Sequence, residues 1–175
     1  YGLVTPRILK FLGNIAKERG ISLFGDLQCS SQIGSIAKFQ DYDLLCPTER
    51  EARIGIGNHN DSIEYVANAL MNQCRAENLI MKLGADGFIA YGKDNDEFVH
   101  RQYFPALIPN PVDVAGAGDS VLATMALGMT RGLSLMESAA LACCVASLAV
   151  QTVGNLPIKI SRVSELINSR VLRAK

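Results

Sequence analysis

DVAGAGDS, residues 113–120, sets two glycines and two alanines between a pair of aspartates, and a run of small and apolar residues follows at once. Small residues leave backbone N–H groups uncovered. The helix that this run predicts from Ala117 carries partial positive charge at its start, so the turn can hold a phosphoryl group or an oxyanion. Gly116, Ala117 and Gly118 would form that anion hole. A carboxylate beside bound phosphate is repelled unless it has chemical work to do, and Asp119 could take the proton of an attacking hydroxyl. The same string also supports a plainer reading, in which Asp119 stabilises the first helical turn and the glycines only let helix and sheet pack closely.

Outward from this turn, the chain alternates strands and helices. Thr5 to Arg19 carries Ile8, Leu9, Leu12, Ile15 and Ala16 at helical spacing, with a Thr-Pro start and a stop at Gly20. ISLFGD (21–26) and DLLCP (43–47) read as buried strands. PTEREAR then opens a helix in which Thr48 is the N-cap and Glu51 stands three residues on. Residues 61–74 form an amphipathic helix and NLIMKLG (78–84) a third strand. Ala85-Asp86-Gly87 turns into FIAYG, and KDNDE is a hairpin tip before FVHRQYFP. Helix is predicted from Ala117 to about Met129 and again from Ser134 to about Val153, with a turn at Arg131-Gly132. This order predicts an α/β fold in three layers, α/β/α, around a largely parallel sheet, as a single domain over residues 1–175.

The 175 residues hold 17 basic and 17 acidic side chains with no Lys/Arg-rich run, which argues against nucleic-acid or membrane-surface partners. Ala139 to Val150 is the most apolar stretch and is too short to span a bilayer, which takes about 20 residues. The N-terminal residues lack the features of a secretory signal. Five cysteines, at 29, 46, 74, 143 and 144, form no C-x-x-C pair, so reduced thiols and a cytoplasmic location are expected. Adjacent Cys143 and Cys144 point in different directions and read as core, as do Met71, Met81, Met125, Met129 and Met136. His59 and His100 are isolated and read as solvated. Asp26 and Gln28, after the first strand, read either as facing nucleotide phosphates or as loop caps.

Three elements in order, P-T-E-R-E-A (47–52), K-L-G-A-D-G (82–87) and D-x-x-G-A-G-D-S (113–120), resemble the motifs of the ribokinase/PfkB-type carbohydrate kinases. The resemblance implies ATP-dependent phosphorylation of a hydroxyl on a sugar or sugar phosphate. Asp119 would be the general base and the amides of Gly116 to Gly118 the anion hole. Lys82, Gly84 and Gly87 match the turn that borders the nucleotide. Thr48 and Glu51 match the element that orders magnesium, with Glu51 acting through water, and Cys143 falls near the adenine position. Asp113 matches a place that binds the sugar or a monovalent cation, so potassium joins ATP and Mg2+ among the implied ligands. Three positions depart from the family pattern: Val114 for threonine, Thr48 for asparagine and Cys143 for asparagine. They favour, as an alternative, a non-catalytic nucleotide- or sugar-binding module derived from such a kinase; a kinase of a vitamin or nucleoside hydroxyl is a third reading, since the same fold hosts these substrates. YGLVTPRIL resembles a segment that family members, notably heptose-phosphate kinases, carry near mid-chain. The resemblance therefore implies the C-terminal nucleotide-binding and catalytic portion of a ribokinase-like fold, without the N-terminal part and lid. Such a portion is expected to be inactive alone and to self-associate as a homo-oligomer through an open sheet edge.

Overall fold

In a computed structural model, residues 4–27, 35–94, 98–108, 110–154 and 156–173 are described; Gln28, Cys29 and the hairpin tip at 95–97 lie outside them. The described elements are helices α1 (Pro6–Arg19), α2 (Glu49–Ile56), α3 (Ile63–Cys74), α4 (Ala117–Thr130), α5 (Leu135–Ala149) and α6 (Ile160–Arg173), with strands β1 (Phe24–Gly25), β2 (Leu44–Leu45), β3 (Asn78–Lys82), β4 (Phe88–Asp94) and β5 (Phe98–Phe104). The strands form one sheet in the order β1-β2-β3-β4-β5. β1 pairs parallel with β2 and β2 with β3, in the register Phe24 to Leu44 and Leu44 to Asn78. A parallel neighbour needs a crossover of a dozen or more residues, so the connection Leu83–Gly87 sets β4 antiparallel to β3. The sheet is therefore mixed, with parallel strands where the α/β alternation predicts them.

The chain divides into two compact units, residues 1–83 with 89–102, and residues 84–88 with 103–175. In the first unit, Leu45, Leu79, Met81 and Tyr91 of the sheet pack with Ala52 of α2 and Val66, Ala67, Leu70 and Met71 of α3. Leu79, Ile80 and Met81 are all buried, so β3 is covered on both faces. In the second unit α4 and α5 pack tightly. A Cβ on Gly128 of α4 would lie 2.6 Å from Ser138 Oγ of α5, so glycine lets the two helices approach.

The helix starts follow the sequence closely. Thr5 Oγ1 accepts the Ile8 N–H, and Gly20 ends α1 in the left-handed region at φ 62°. Ser134 and Glu137 make a capping box at the head of α5. Strands are shorter than their apolar runs. Of residues 21–26 only Phe24–Gly25 is strand, because the Leu23 N–H goes to the Asp43 carboxylate at 2.6 Å instead of to a ladder carbonyl. α5 stops at Ala149 rather than near Val153, and α6 was not anticipated at all. Met71, Met81 and Met125 are core as expected, whereas Met129 and Met136 are only half-buried. His59 and His100 are exposed.

Candidate functional site

The site residues fall into a cluster on each compact unit. The first lies at the carboxyl ends of β1, β2 and β3, the position where α/β sheets receive ligands. Thr48 caps α2 by accepting the Glu51 N–H at 3.2 Å, and Glu51 Oε2 accepts the Thr48 N–H at 2.8 Å. This reciprocal box leaves Glu51 only 7% exposed. Lys82 ends β3 beside it: the Lys82 N–H donates to Pro47 O at 2.8 Å and Lys82 bridges Thr48 in parallel. Its ammonium meets Asp26 Oδ2 at 2.5 Å, and Asp26 Oδ1 accepts the Leu27 N–H at 2.8 Å. Burial pushes the Asp26 carboxyl above the ordinary carboxylate range, against the pull of Lys82 and its own hydrogen bonds. Asp26 thus occupies both of its oxygens, one in a loop cap and one in an ion pair. Cys46, fully buried beyond β2, has its thiol pKa pushed far up by the same burial.

The second cluster surrounds the glycine-rich turn. Gly116 is the N-cap of α4 at φ 76°, which places Ala117, Gly118 and Asp119 at the first three helical positions. α1, α2, α3 and α5 each begin on a Thr or Ser whose side chain accepts a backbone N–H, but α4 begins on glycine with no side-chain cap. Its first helical bond is Ser120 N–H to Gly116 O at 2.9 Å. The N–H groups of Gly118 and Asp119 precede that bond and stand outside the ladder. Asp119 is exposed in the same turn. Left-handed backbone is needed at Gly116 alone; Gly118 is helical, so its smallness, not its φ, matters.

Asp113 shapes this turn. Its Oδ1 accepts the Ala115 N–H at 2.9 Å and its Oδ2 the Gly154 N–H at 2.9 Å, while Val112 N–H and Asp113 N–H donate to Val150 O at 2.7 and 3.2 Å. The segment before Gly116 is thereby strapped to the end of α5. Those backbone donors hold the Asp113 carboxyl below its ordinary range. Val114, at the family's threonine position, is 67% exposed. Cys143 is buried and its Sγ donates to Pro105 O at 3.2 Å.

Gly84 and Gly87 belong to the same unit as the turn. Both have positive φ, 64° and 98°. A Cβ on Gly87 would collide with the Phe104 carbonyl oxygen and lie 2.7 Å from Ala106 N, so glycine is required where the chain crosses that segment. Tyr103 Oη donates to Asp86 O at 2.6 Å across the crossing. The Asp26–Lys82 pair and the Gly154 donor to Asp113 had no local sequence signal, since the partners stand 56 and 41 residues apart.

Among the described residues no group of three or more His, Cys, Asp or Glu side chains could hold a metal ion. No helix of the described residues is long and apolar enough to cross a membrane.

Comparison with known proteins gives a consistent family. The profile of the pfkB family carbohydrate kinases matches residues 6–159. The bifunctional protein HldE of Trichlorobacter lovleyi is 31% identical over 156 residues, 87% of this chain and 30% of its own length. A ribokinase of Arabidopsis thaliana, solved with ribose and ATP, superposes with a TM-score of 0.75 at 25% identity over 93% of this chain and 53% of its own. The phosphofructokinase-2 of Escherichia coli, solved with potassium, gives a TM-score of 0.76 at 19% identity over 95% of this chain and 53% of its own. The chain thus spans about a third of the curated relative's length and about half of each solved kinase.

Proposed function

The chain belongs to the pfkB family of carbohydrate kinases, and on that premise we propose that it carries the nucleotide-binding and catalytic portion of an enzyme that phosphorylates a sugar or sugar-phosphate hydroxyl from ATP. The observation that carries this reading is the start of α4: an uncapped, glycine-led helix N-terminus with an exposed Asp119 in its first turn. In the proposed reaction Asp119 takes the proton of the acceptor hydroxyl as its oxygen attacks the γ-phosphorus of ATP. The bond to the β,γ-bridging oxygen breaks and ADP leaves. The amides of Gly116 and Gly118 would face the negative charge on the transferred phosphoryl oxygens, where fixed donors lower the barrier most, whereas the Ala117 N–H donates to Val114 O at 3.3 Å. The exposed position of Asp119 suits proton transfer from a bound ligand.

Lys82, Gly84 and Gly87 would border the nucleotide, and buried Cys143 would help shape the adenine side. Bound with ATP, magnesium would neutralise phosphate charge. Glu51 would act on it through water, since one Glu51 oxygen already holds the Thr48 N–H. Asp113 fits a sugar hydroxyl or potassium less well than the resemblance implies, because both carboxylate oxygens accept backbone N–H groups; we assign it the shape of the turn.

A non-catalytic binding module derived from such a kinase is the second reading, favoured by the mutual engagement of Thr48 and Glu51 in the capping box. Asp119 separates the two. In a polypeptide carrying the complete kinase fold, Asp119→Asn should lower phosphoryl transfer about 100- to 10,000-fold with nucleotide affinity nearly unchanged. Turnover close to wild type in the Asn variant would refute the role of Asp119 as base.

A further inference from the structure

Asp26 and Lys82 stand 56 residues apart and meet at the carboxyl ends of β1 and β3, with each side chain 17% exposed. Strand pairing does not need them. Asp43 N–H already donates to Leu23 O and Cys46 N–H to Gly25 O, which ties β1 to β2, and the Lys82 N–H is fixed on Pro47 O. Burial, with the Glu51 charge nearby, raises the Asp26 carboxyl even with a cation in contact, and a buried ion pair is weak evidence for stability. Apolar residues of similar size would hold these strand ends at least as well. A half-buried charge pair kept at such a cost, at the end of parallel strands where ligands gather, points to a function.

The geometry indicates which one. A lysine ammonium has three N–H groups, and the contact with Asp26 Oδ2 uses one of them. Without that contact the four-carbon stem of Lys82 could sample many rotamers and would have to be ordered by each incoming anion. With it, the ammonium is fixed before the anion arrives. Glu51 lies near enough to add its own negative field at Asp26.

We propose that Asp26 is a positioning residue: its carboxylate fixes the Lys82 ammonium at the end of β3, leaving the remaining N–H groups preset for an anionic phosphoryl group. The inference rests on the reading of Lys82 as a residue that borders the nucleotide. Asp26 itself touches no phosphate and acts only through Lys82.

The test is a double-mutant cycle on the affinity of the chain for ADP, read by calorimetry at fixed salt and without metal. Lys82→Met should weaken ADP binding about tenfold or more, and Asp26→Asn nearly as much. Asp26→Glu, which keeps the carboxylate one methylene further out, should recover part of the loss. The double variant Asp26→Asn/Lys82→Met should bind no more weakly than Lys82→Met alone, because Asp26 has nothing to act through once the ammonium is gone. This double variant also removes both charges together and so avoids the unpaired charge that either single change leaves. Asp26→Asn that binds ADP as well as or more tightly than wild type, with Lys82→Met still weak, would overturn the positioning role and leave the nucleotide reading intact. Unchanged affinity in Lys82→Met, or no measurable ADP binding by the wild-type chain, would overturn the reading of Lys82 and the positioning role with it.

Discussion

Replacing each of the two glycines of the K-L-G-A-D-G turn with alanine should separate backbone strain from backbone collision. Gly84 sits at φ 64° with nothing within 4 Å of the place a Cβ would occupy. Gly84→Ala should therefore carry only the left-handed penalty, about 1 kcal/mol. Gly87 sits at φ 98°, and its Cβ would meet three backbone atoms of one segment: the Phe104 carbonyl oxygen, Ala106 N at 2.7 Å and Pro105 C at 2.8 Å. None of these is the far end of a flexible side chain, so the crossing segment itself must move. Overpacking of this kind adds about 1–3 kcal/mol to the strain. The sum is about 3 kcal/mol for Gly87→Ala, or roughly a 100-fold drop in the folding constant at 1.4 kcal/mol per tenfold.

Both glycines lie in the same compact unit, so one unfolding transition reports on both. Urea unfolding followed by circular dichroism should show a clearly lower midpoint for Gly87→Ala than for Gly84→Ala. The slope with denaturant should stay the same, which would show that stability rather than compactness has changed. Two variants within about 0.5 kcal/mol of one another would refute the collision, since that is the usual spread of changes away from such features. The crossing over Phe104–Ala106 would then not be the reason for glycine at 87.

Two further outcomes follow from the caps and straps. Thr48→Ala removes the hydroxyl that accepts the Glu51 N–H and should lower stability by about 1 kcal/mol, with Thr48→Ser retaining most of it; equal midpoints for Ala and wild type in urea would show that the capping box contributes nothing. Asp113 is held below its ordinary pKa by the Ala115 and Gly154 N–H donors, so the folded state binds its proton later than the unfolded state does. Its contribution to stability is present above the unfolded value, about 3.9, and is lost as pH falls through the lower folded value. Carboxyl NMR should give Asp113 a midpoint below 3.9 with the Ala115 and Gly154 amide shifts following the same curve, and a midpoint at or above 3.9 would remove Asp113 as the strap.

What the sequence made legible is what local chemistry decides. Thr5, Thr48 and Ser134 announce helix starts because a hydroxyl reaches a backbone N–H within three residues, and the structure uses all three in that way. α6 has a local signal too: Ile160, Val163 and Ile167 stand at spacings of three and four beyond Pro157. The strand lengths were not legible. Ile21 to Asp26 has the composition of a buried strand, but Ile21 is exposed and the Leu23 N–H is taken by a carboxylate from 20 residues away. A long-range side chain had displaced a ladder bond, and no local pattern records that.

The site shows the same division, and it bears on how the reaction is divided among residues. G-A-G-D announces a glycine-led helix start, but not which glycine takes the left-handed turn; the structure gives that to Gly116 and leaves Gly118 helical. The consequence is chemical. A side chain at 116 would distort the turn that aims the amides, whereas one at 118 would cover amides already aimed. Asp26 is the sharper instance, because a carboxylate after a strand reads equally well as a phosphate-facing group or as a cap until its partner is known. The partner is a lysine 56 residues on, and the pairing removes Asp26 from direct contact with an anion while making Lys82 fit for one. On the proposed reading the negative residue fixes the positive one, and only the positive one would meet the ligand.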